Sequence, residues 1–120
     1  MKELKQIVNE SNLDIKDAFR VMKSNNSIGA KEFLKTPFKI KGYVIVDVET
    51  TTLETGEVEK SQSICFLTET DDIVGSNSSS LLKTFLEIKE TFGEEYLTLD
   101  VQITQGVSKN GRQFLSLELV

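Results

Sequence analysis

Residues 101–120 read VQITQGVSKNGRQFLSLELV, and this stretch decides the predicted fold. Apolar and polar residues alternate on both sides of a short polar turn at 108–112. Within the turn, Asn110-Gly111 is among the strongest short signals for a β-hairpin, because both residues tolerate the positive φ of tight turns. The stretch is therefore predicted to form two antiparallel strands.

Alternation also assigns the side chains of the second strand to two faces. One face is aliphatic and suits a core; it carries Leu115, Leu117 and Leu119. The other face combines a cation, an aromatic ring and a hydroxyl; it carries Arg112, Phe114 and Ser116. Cations contact phosphates and flat rings stack on bases, so such a face suits single-stranded nucleic acid. An ordinary amphipathic hairpin has the same pattern, so the rest of the chain must decide between the two interpretations.

The composition indicates a single globular domain without a membrane span. With 120 residues, 38% of them hydrophobic and 28% charged, the chain is large enough for one core. No run approaches the ~20 apolar residues of a membrane helix. The first residues lack the apolar segment of a secretory signal, so a cytoplasmic protein is expected.

The chain contains no histidine, which argues against catalysis because histidine is the commonest general base and transition-metal ligand. Its single cysteine, Cys65, has apolar neighbours and is predicted to be a buried, inert thiol. The paired acids Asp71-Asp72 and Glu94-Glu95 lie next to turn residues, where solvated carboxylates are the rule. We expect no enzyme, no catalytic residue, no metal site and no cofactor.

The net charge of −5 argues against broad electrostatic capture of duplex DNA or of a membrane surface. A local basic strip beside an aromatic ring can still bind nucleic acid on an acidic body. Strong salt dependence is then the expected consequence.

Residues 1–36 are predicted to form a partly helical N-terminal extension. Four apolar residues have the spacing of one face of a helix: Ile15, Ala18, Phe19 and Met22. Asn12 is the expected N-cap. A competing interpretation makes 18–23 a strand with Phe19 and Val21 on one face, and the helix is preferred.

From Phe38 onwards the pattern is typical of β-structure. In the first strand one face is predicted to hold Ile40, Gly42, Val44, Val46 and Val48, and the opposite face Lys39, Lys41, Tyr43 and Asp47. A turn at 54–56 leads to a second strand at 57–68, and a short third strand is predicted at 73–76. Helical periodicity returns after Ser78 and ends at Gly93.

The predicted order is strand, strand, strand, helix, strand, strand. This order is typical of the OB-fold. We therefore predict a mainly β (α+β) protein in which residues 37–120 form a five-stranded OB-fold-like barrel, with a helix between strands 3 and 4.

On an OB-fold, ligands lie across the second and third strands and beside the loops that join strands 1–2 and 4–5. The predicted phosphate contacts are Lys39, Lys41, Lys60, Lys109 and Arg112. The predicted stacking residues are Tyr43, Phe66 and Phe114. The remaining phenylalanines follow apolar stripes and are expected in the core: Phe19, Phe33, Phe38, Phe85 and Phe92.

Residues 101–111, with Phe114 and the run Ser116-Leu117-Glu118-Leu119, resemble the C-terminus of a phage family. These are the single-stranded DNA-binding proteins of small protein-primed Bacillus phages of the phi-twenty-nine type. A weaker resemblance covers 37–92, and 1–36 match poorly. The chain departs from the family in having only two tyrosines.

The resemblance implies an OB-fold protein that coats single-stranded DNA without strong sequence preference during phage replication. It further implies a location in the cytoplasm of the bacterial host, phage replication proteins as possible partners, and no cofactor. The alternative is a non-enzymatic phage module on a small β-barrel that binds a protein, its acidic surface mimicking DNA towards a host enzyme. The sequence leaves open whether the protein is a monomer or a small homo-oligomer, and whether it prefers DNA or RNA.

Overall fold

The computed structural model describes residues 1–23 and 27–120, which form seven strands and two α-helices. The strands are β1 (Lys2–Ser11), β2 (Ile28–Gly29), β3 (Ile40–Thr52), β4 (Val58–Thr68), β5 (Ile73–Ser76), β6 (Val101–Val107) and β7 (Gln113–Leu119). The helices are α1 (Ile15–Met22) and α2 (Ser79–Phe92), with 3₁₀ turns at Ala30–Phe33 and Gly93–Thr98. Neither helix is long and apolar enough to cross a membrane within this described part of the chain.

The strands form a five-stranded sheet of order β1-β3-β4-β5-β2 and a separate hairpin of β6 and β7. Neighbours are antiparallel except β2 and β5, which pair in parallel over two residues. The hairpins at the two predicted turns are confirmed, and each turn holds a glycine at positive φ, Gly56 at 72° and Gly111 at 78°. The strand at Ile73–Ser76 is confirmed as well.

The predicted five-stranded OB-fold-like barrel is wrong. Two further strands, β1 and β2, precede β3, so α2 follows the fifth strand of the chain. The sheets do not close into a barrel within residues 1–23 and 27–120. Two isolated bridges join the β6–β7 hairpin to the segment before β3, pairing Leu34 with Ile103 and Phe38 with Val101.

Helix α2 occupies the edge of β7 that a closing strand would need. The Ser80 hydroxyl donates a hydrogen bond to the Leu115 carbonyl over 2.8 Å. One helical turn later, the Thr84 hydroxyl accepts a hydrogen bond from the Leu117 N–H, also over 2.8 Å. Because the helix satisfies these outward backbone groups, β7 has β6 as its only strand neighbour among the described residues.

Strand β1 was not predicted from its sequence. KELKQIVNES has polar and charged residues at positions of both parities, so no period-2 pattern marks it. The strand lies at the edge of the sheet, where both faces are largely exposed and nothing selects for alternation. The predicted helical extension therefore omitted the strand that pairs with β3 along most of its length.

The apolar side chains form two cores, one on each face of the large sheet. The main core lies under α2 and the β6–β7 hairpin and includes Phe38, Ile45, Phe66, Phe85, Ile103 and Leu117. The smaller core lies under α1 and comprises Ala18, Val21, Val44, Val46 and Leu67.

Helix α1 is confirmed, but its predicted apolar stripe is partly wrong. Ala18 is buried, whereas Ile15 and Phe19 are exposed, because the helix packs through Ala18 and Val21. The N-cap is Asp14, whose carboxylate accepts a hydrogen bond from the Asp17 N–H. Asn12 instead accepts one from the Tyr43 N–H.

We predict that Thr84→Val destabilises the protein by about 1–3 kcal/mol, because the buried Leu117 N–H loses its acceptor while the side-chain shape is kept. Denaturant unfolding measures the loss. The control is Thr91→Val on the exposed side of the same helix, expected to change stability by less than about 0.5 kcal/mol. Equal decreases in the free energy of unfolding for both variants would show that the hydrogen bond between Thr84 and Leu117 does not stabilise the protein.

Candidate nucleic-acid interface

A groove of about 790 Å³ lies between β5 and β7, where the barrel would have closed. One wall is formed by β5, the start of α2 and the turn at Ala30–Phe33; the other is formed by the β6–β7 hairpin. The lining side chains that can contact a ligand by charge, hydrogen bond or ring are Lys31, Glu32, Ser76, Asn77, Ser79, Gln105, Ser108, Arg112, Gln113 and Phe114. We call this feature the β5–β7 groove.

Phe114 is the aromatic residue of the groove lining, and its side chain is 39% exposed. Phe114 pairs directly with Gly106 across the hairpin. A Cβ atom at Gly106 would lie only 2.5 Å from Cζ of Phe114, so the glycine leaves the space over which the ring lies. This placement holds the ring against the backbone of β6 while part of it faces solvent.

Two cations lie in the hairpin turn that precedes Phe114. Lys109 and Arg112 are both exposed, and Arg112 lines the groove itself. The Ser108 N–H donates to the Arg112 carbonyl over 2.8 Å, which fixes the base of the turn. Across the part of the chain that the structure describes, neither cation is in an ion pair. On the opposite wall Lys31 adds a cation, and the neighbouring Glu32 offsets it.

The other predicted lysines form ion pairs away from the groove. Lys39 Nζ lies 2.8 Å from Asp100 Oδ1, and the hydrogen bond to Asp100 raises the pKa of Lys39. Lys41 Nζ lies 3.1 Å from an oxygen of Asp71, and Lys60 Nζ lies 4.0 Å from an oxygen of Glu49. These lysines were expected to join the hairpin cations in one site, and the structure does not bring them there.

Tyr43 and Phe66 are buried, so neither ring is placed to stack on a base. Phe66 packs against Phe85 with ring centroids 5.2 Å apart, and Tyr43 packs against the same ring at 4.9 Å. The assignment of both rings to a stacking surface is thus wrong for this conformation. The burial places them under α2, in the main core.

Tyr43 lies opposite Val44 and Val46 as predicted, but the main core covers its face, and a β-bulge separates it from the exposed lysines that precede it. Ile40 and Gly42 pair with the consecutive residues Thr68 and Leu67 of β4, so Lys41 is an extra residue in β3. Such a residue inverts the alternation that follows it. Ile40 and Tyr43 therefore face the same core, although strict alternation placed them on opposite faces.

The buried Tyr43 belongs to a small polar cluster that connects β1, β3 and α2. Its hydroxyl donates to the Glu10 carboxylate over 3.0 Å. Lys89 Nζ lies 3.5 Å from that carboxylate and 5.5 Å from the centroid of the Tyr43 ring. Burial raises the pKa of Tyr43, and burial with the nearby Tyr43 raises the pKa of Tyr96 to about 12.

Several polar groove residues were not identified from the sequence. Lys31, Asn77, Gln105 and Gln113 come from four separate segments, and no local pattern relates them. Gln105 donates a side-chain hydrogen bond to Gln113 over 2.8 Å, which links the two strands at the rim.

In the described ranges, 1–23 and 27–120, no group of three His, Cys, Asp or Glu side chains is placed to hold a metal ion. Burial raises the pKa of the Cys65 thiol.

Comparison with protein-family models, with curated proteins and with solved structures found no match to this chain.

We predict that the two tyrosines ionise at higher pH in the folded protein than in the denatured chain. Tyr96 keeps its proton up to about pH 12, against an ordinary value of 10.0. The folded state therefore binds more protons in this interval, so the free energy of unfolding falls as pH rises above about 10.

Ultraviolet absorbance of the phenolate follows the titration directly, because the chain has two tyrosines and no tryptophan. In the Tyr43→Phe variant, Tyr96 is the single tyrosine, so the absorbance change reports its ionisation. A folded-state midpoint equal to that of the denatured chain would contradict the burial of these rings.

Proposed function

We propose that the chain binds single-stranded DNA in the β5–β7 groove, without strong sequence preference. The observation that carries this proposal is the Phe114 ring, which lies over Gly106 and is partly exposed in an open groove that Arg112 also lines. A flat ring and a guanidinium in one groove supply a stacking surface and a phosphate contact. Every base has a π-face, so such a contact tolerates any sequence.

The groove supports weak binding over a short site. Phe114 is the aromatic side chain in its lining, so one stacked base is expected for each protein molecule. The polar groups of Asn77, Gln105 and Gln113 add hydrogen bonds to sugar, phosphate or base edges without demanding one base. The net charge of −5 repels the rest of the strand, and binding is therefore expected to weaken steeply with salt.

The biological role in this proposal is the coating of single strands exposed during phage DNA replication. It rests on the resemblance of residues 101–111, Phe114 and 116–119 to phage single-stranded DNA-binding proteins. These residues lie in the β6–β7 hairpin, and Phe114 among them lines the groove. Replication proteins of the phage are the partners that such a role implies.

We predict that Phe114→Ala weakens binding to fluorescent oligo-dT by about tenfold or more, because one stacked base contributes roughly 1–3 kcal/mol. Fluorescence anisotropy at about 20 mM salt measures the affinity, since phosphate contacts are strongest there. The matched control is Phe92→Ala: Phe92 is 37% exposed, close to the 39% of Phe114. Phe92 lies at the C-terminal end of α2, about 20 Å along the helix from the N-terminal end that lines the groove.

Equal affinities of Phe114→Ala and the unchanged protein for oligo-dT would show that the Phe114 ring does not contact the DNA. No binding of oligo-dT by the unchanged protein at low salt would overturn the proposal as a whole. A duplex of the same length serves as the competitor, and oligo-U tests whether DNA is preferred to RNA.

We predict that Arg112→Ala lowers affinity and reduces the slope of log affinity against log salt by about one, because one phosphate contact is lost. The control is Arg20→Ala, which removes an exposed arginine paired with Asp17 on α1. An unchanged slope for Arg112→Ala would exclude this guanidinium as a phosphate contact.

A further inference from the structure

Strand β1 has an outer edge with no strand beside it. The order of the large sheet places β1 at its end, and β3 is its only strand partner among residues 1–23 and 27–120. Backbone N–H and C=O groups along such an edge are available to another strand. With 10 residues, β1 is longer than the short edge strands by which proteins usually avoid this pairing.

Three exposed apolar side chains lie on β1 itself. Leu4 is 61% exposed, and Ile7 and Val8 are also exposed on the same strand. On α1, Phe19 lies one turn before Lys23, whose ammonium contacts the Gln6 side chain over 3.0 Å. This hydrogen bond connects the end of α1 to β1.

The first part of β1 is complementary to itself in antiparallel orientation. Residues 2–6 read KELKQ, and a two-fold axis through Leu4 places Glu3 of each copy opposite Lys5 of the other. The same register pairs Leu4 with Leu4 and Lys2 with Gln6, with no like charges opposite each other. Cross-strand pairs of opposite charge stabilise a sheet, and like charges directly opposite destabilise it.

Neighbouring registers are less favourable. Moving the axis to Lys5 sets two lysines against each other, and a register that spans the whole strand sets Glu3 opposite Glu10. The pairing register between β1 and β3 also shifts between Val8 and Glu10, so only the part before this irregularity is a regular strand. An axis at Gln6 also avoids like charges, but its ion pair of Lys2 with Glu10 requires a residue beyond the irregularity, whereas the axis at Leu4 keeps both Glu3–Lys5 pairs within the regular segment.

We propose that β1 binds β1 of a second copy of this chain, antiparallel about Leu4. Two five-stranded sheets then become one continuous sheet across the dimer. A two-fold axis perpendicular to the sheet places α1 of both copies on the same side, because residues opposite each other in an antiparallel pair point to one face. The surface is small, so a dimer in the micromolar range is expected. The dimer forms without DNA and is independent of the proposed groove.

Sedimentation velocity over a range of protein concentrations tests the proposal. The unchanged protein should shift from monomer to dimer, and Leu4→Lys should weaken dimerisation by about tenfold or more, because it sets two ammonium groups against each other at the axis. The control is Leu119→Lys: Leu119 is 43% exposed and lies on β7, in the other sheet. An unchanged protein that stays monomeric at every concentration, or equal effects of both variants, would overturn the proposal.

Charge reversal tests the pairing of Glu3 with Lys5 and guards against loss of folding. Glu3→Lys alone and Lys5→Glu alone each set like charges opposite each other twice, so both should be monomeric. An equimolar mixture of the two variants restores opposite charges at both pairs of positions 3 and 5 and should form a heterodimer. A mixture that stays monomeric, although both variants are folded by circular dichroism, would exclude this pairing.

Oxidative cross-linking tests the register. Leu4→Cys places two thiols opposite each other at the axis, whereas Gln6→Cys separates them along the strand. Diamide should therefore produce a disulfide-linked dimer of Leu4→Cys in preference to Gln6→Cys, with the half-buried Cys65 common to both. Preferential cross-linking of Gln6→Cys would refute the axis at Leu4.

Discussion

Two hydroxyl groups on α2 determine how the two sheets are arranged. Ser80 and Thr84 hydrogen-bond the outward Leu115 carbonyl and Leu117 N–H, which are the groups that a closing strand would otherwise use. With this edge occupied, β7 and β5 stay apart and the β5–β7 groove opens between them. The same contact seats α2 over the main core, so the hydrophobic packing and the groove share one origin.

Local signals allowed the elements beyond Pro37 to be predicted from the sequence. The turn glycines, the serine cap and the apolar stripe of α2 all lie within a few residues of the structure that they specify. The barrel was not predicted correctly because closure depends on which edge groups find partners, and Thr84 and Leu117 are far apart in sequence. Strand β1 carries no alternation, since its burial does not distinguish its two faces.

The candidate site was predictable only in its hairpin. Phe114 follows from alternation in β7 and Arg112 from its place in the predicted turn before that strand, and both line the groove. Tyr43 was misassigned because a core covers each face of β3, and because the extra residue Lys41 separates Tyr43 from the exposed lysines whose face it was expected to share. The placement of Lys39, Lys41 and Lys60 away from the groove could not be predicted for another reason. Their carboxylate partners, such as Asp100 for Lys39, come from distant segments, so the pairing is visible only in the folded chain.

The pairing of Gly106 with Phe114 links two positions that face each other across the hairpin. In a diverging lineage, a side chain at position 106 would displace the ring, and a smaller residue at 114 would leave the glycine without its cover. The two positions are therefore expected to change together, if at all. A relative that keeps the glycine while losing the aromatic residue would have kept a weakened strand with no compensating contact.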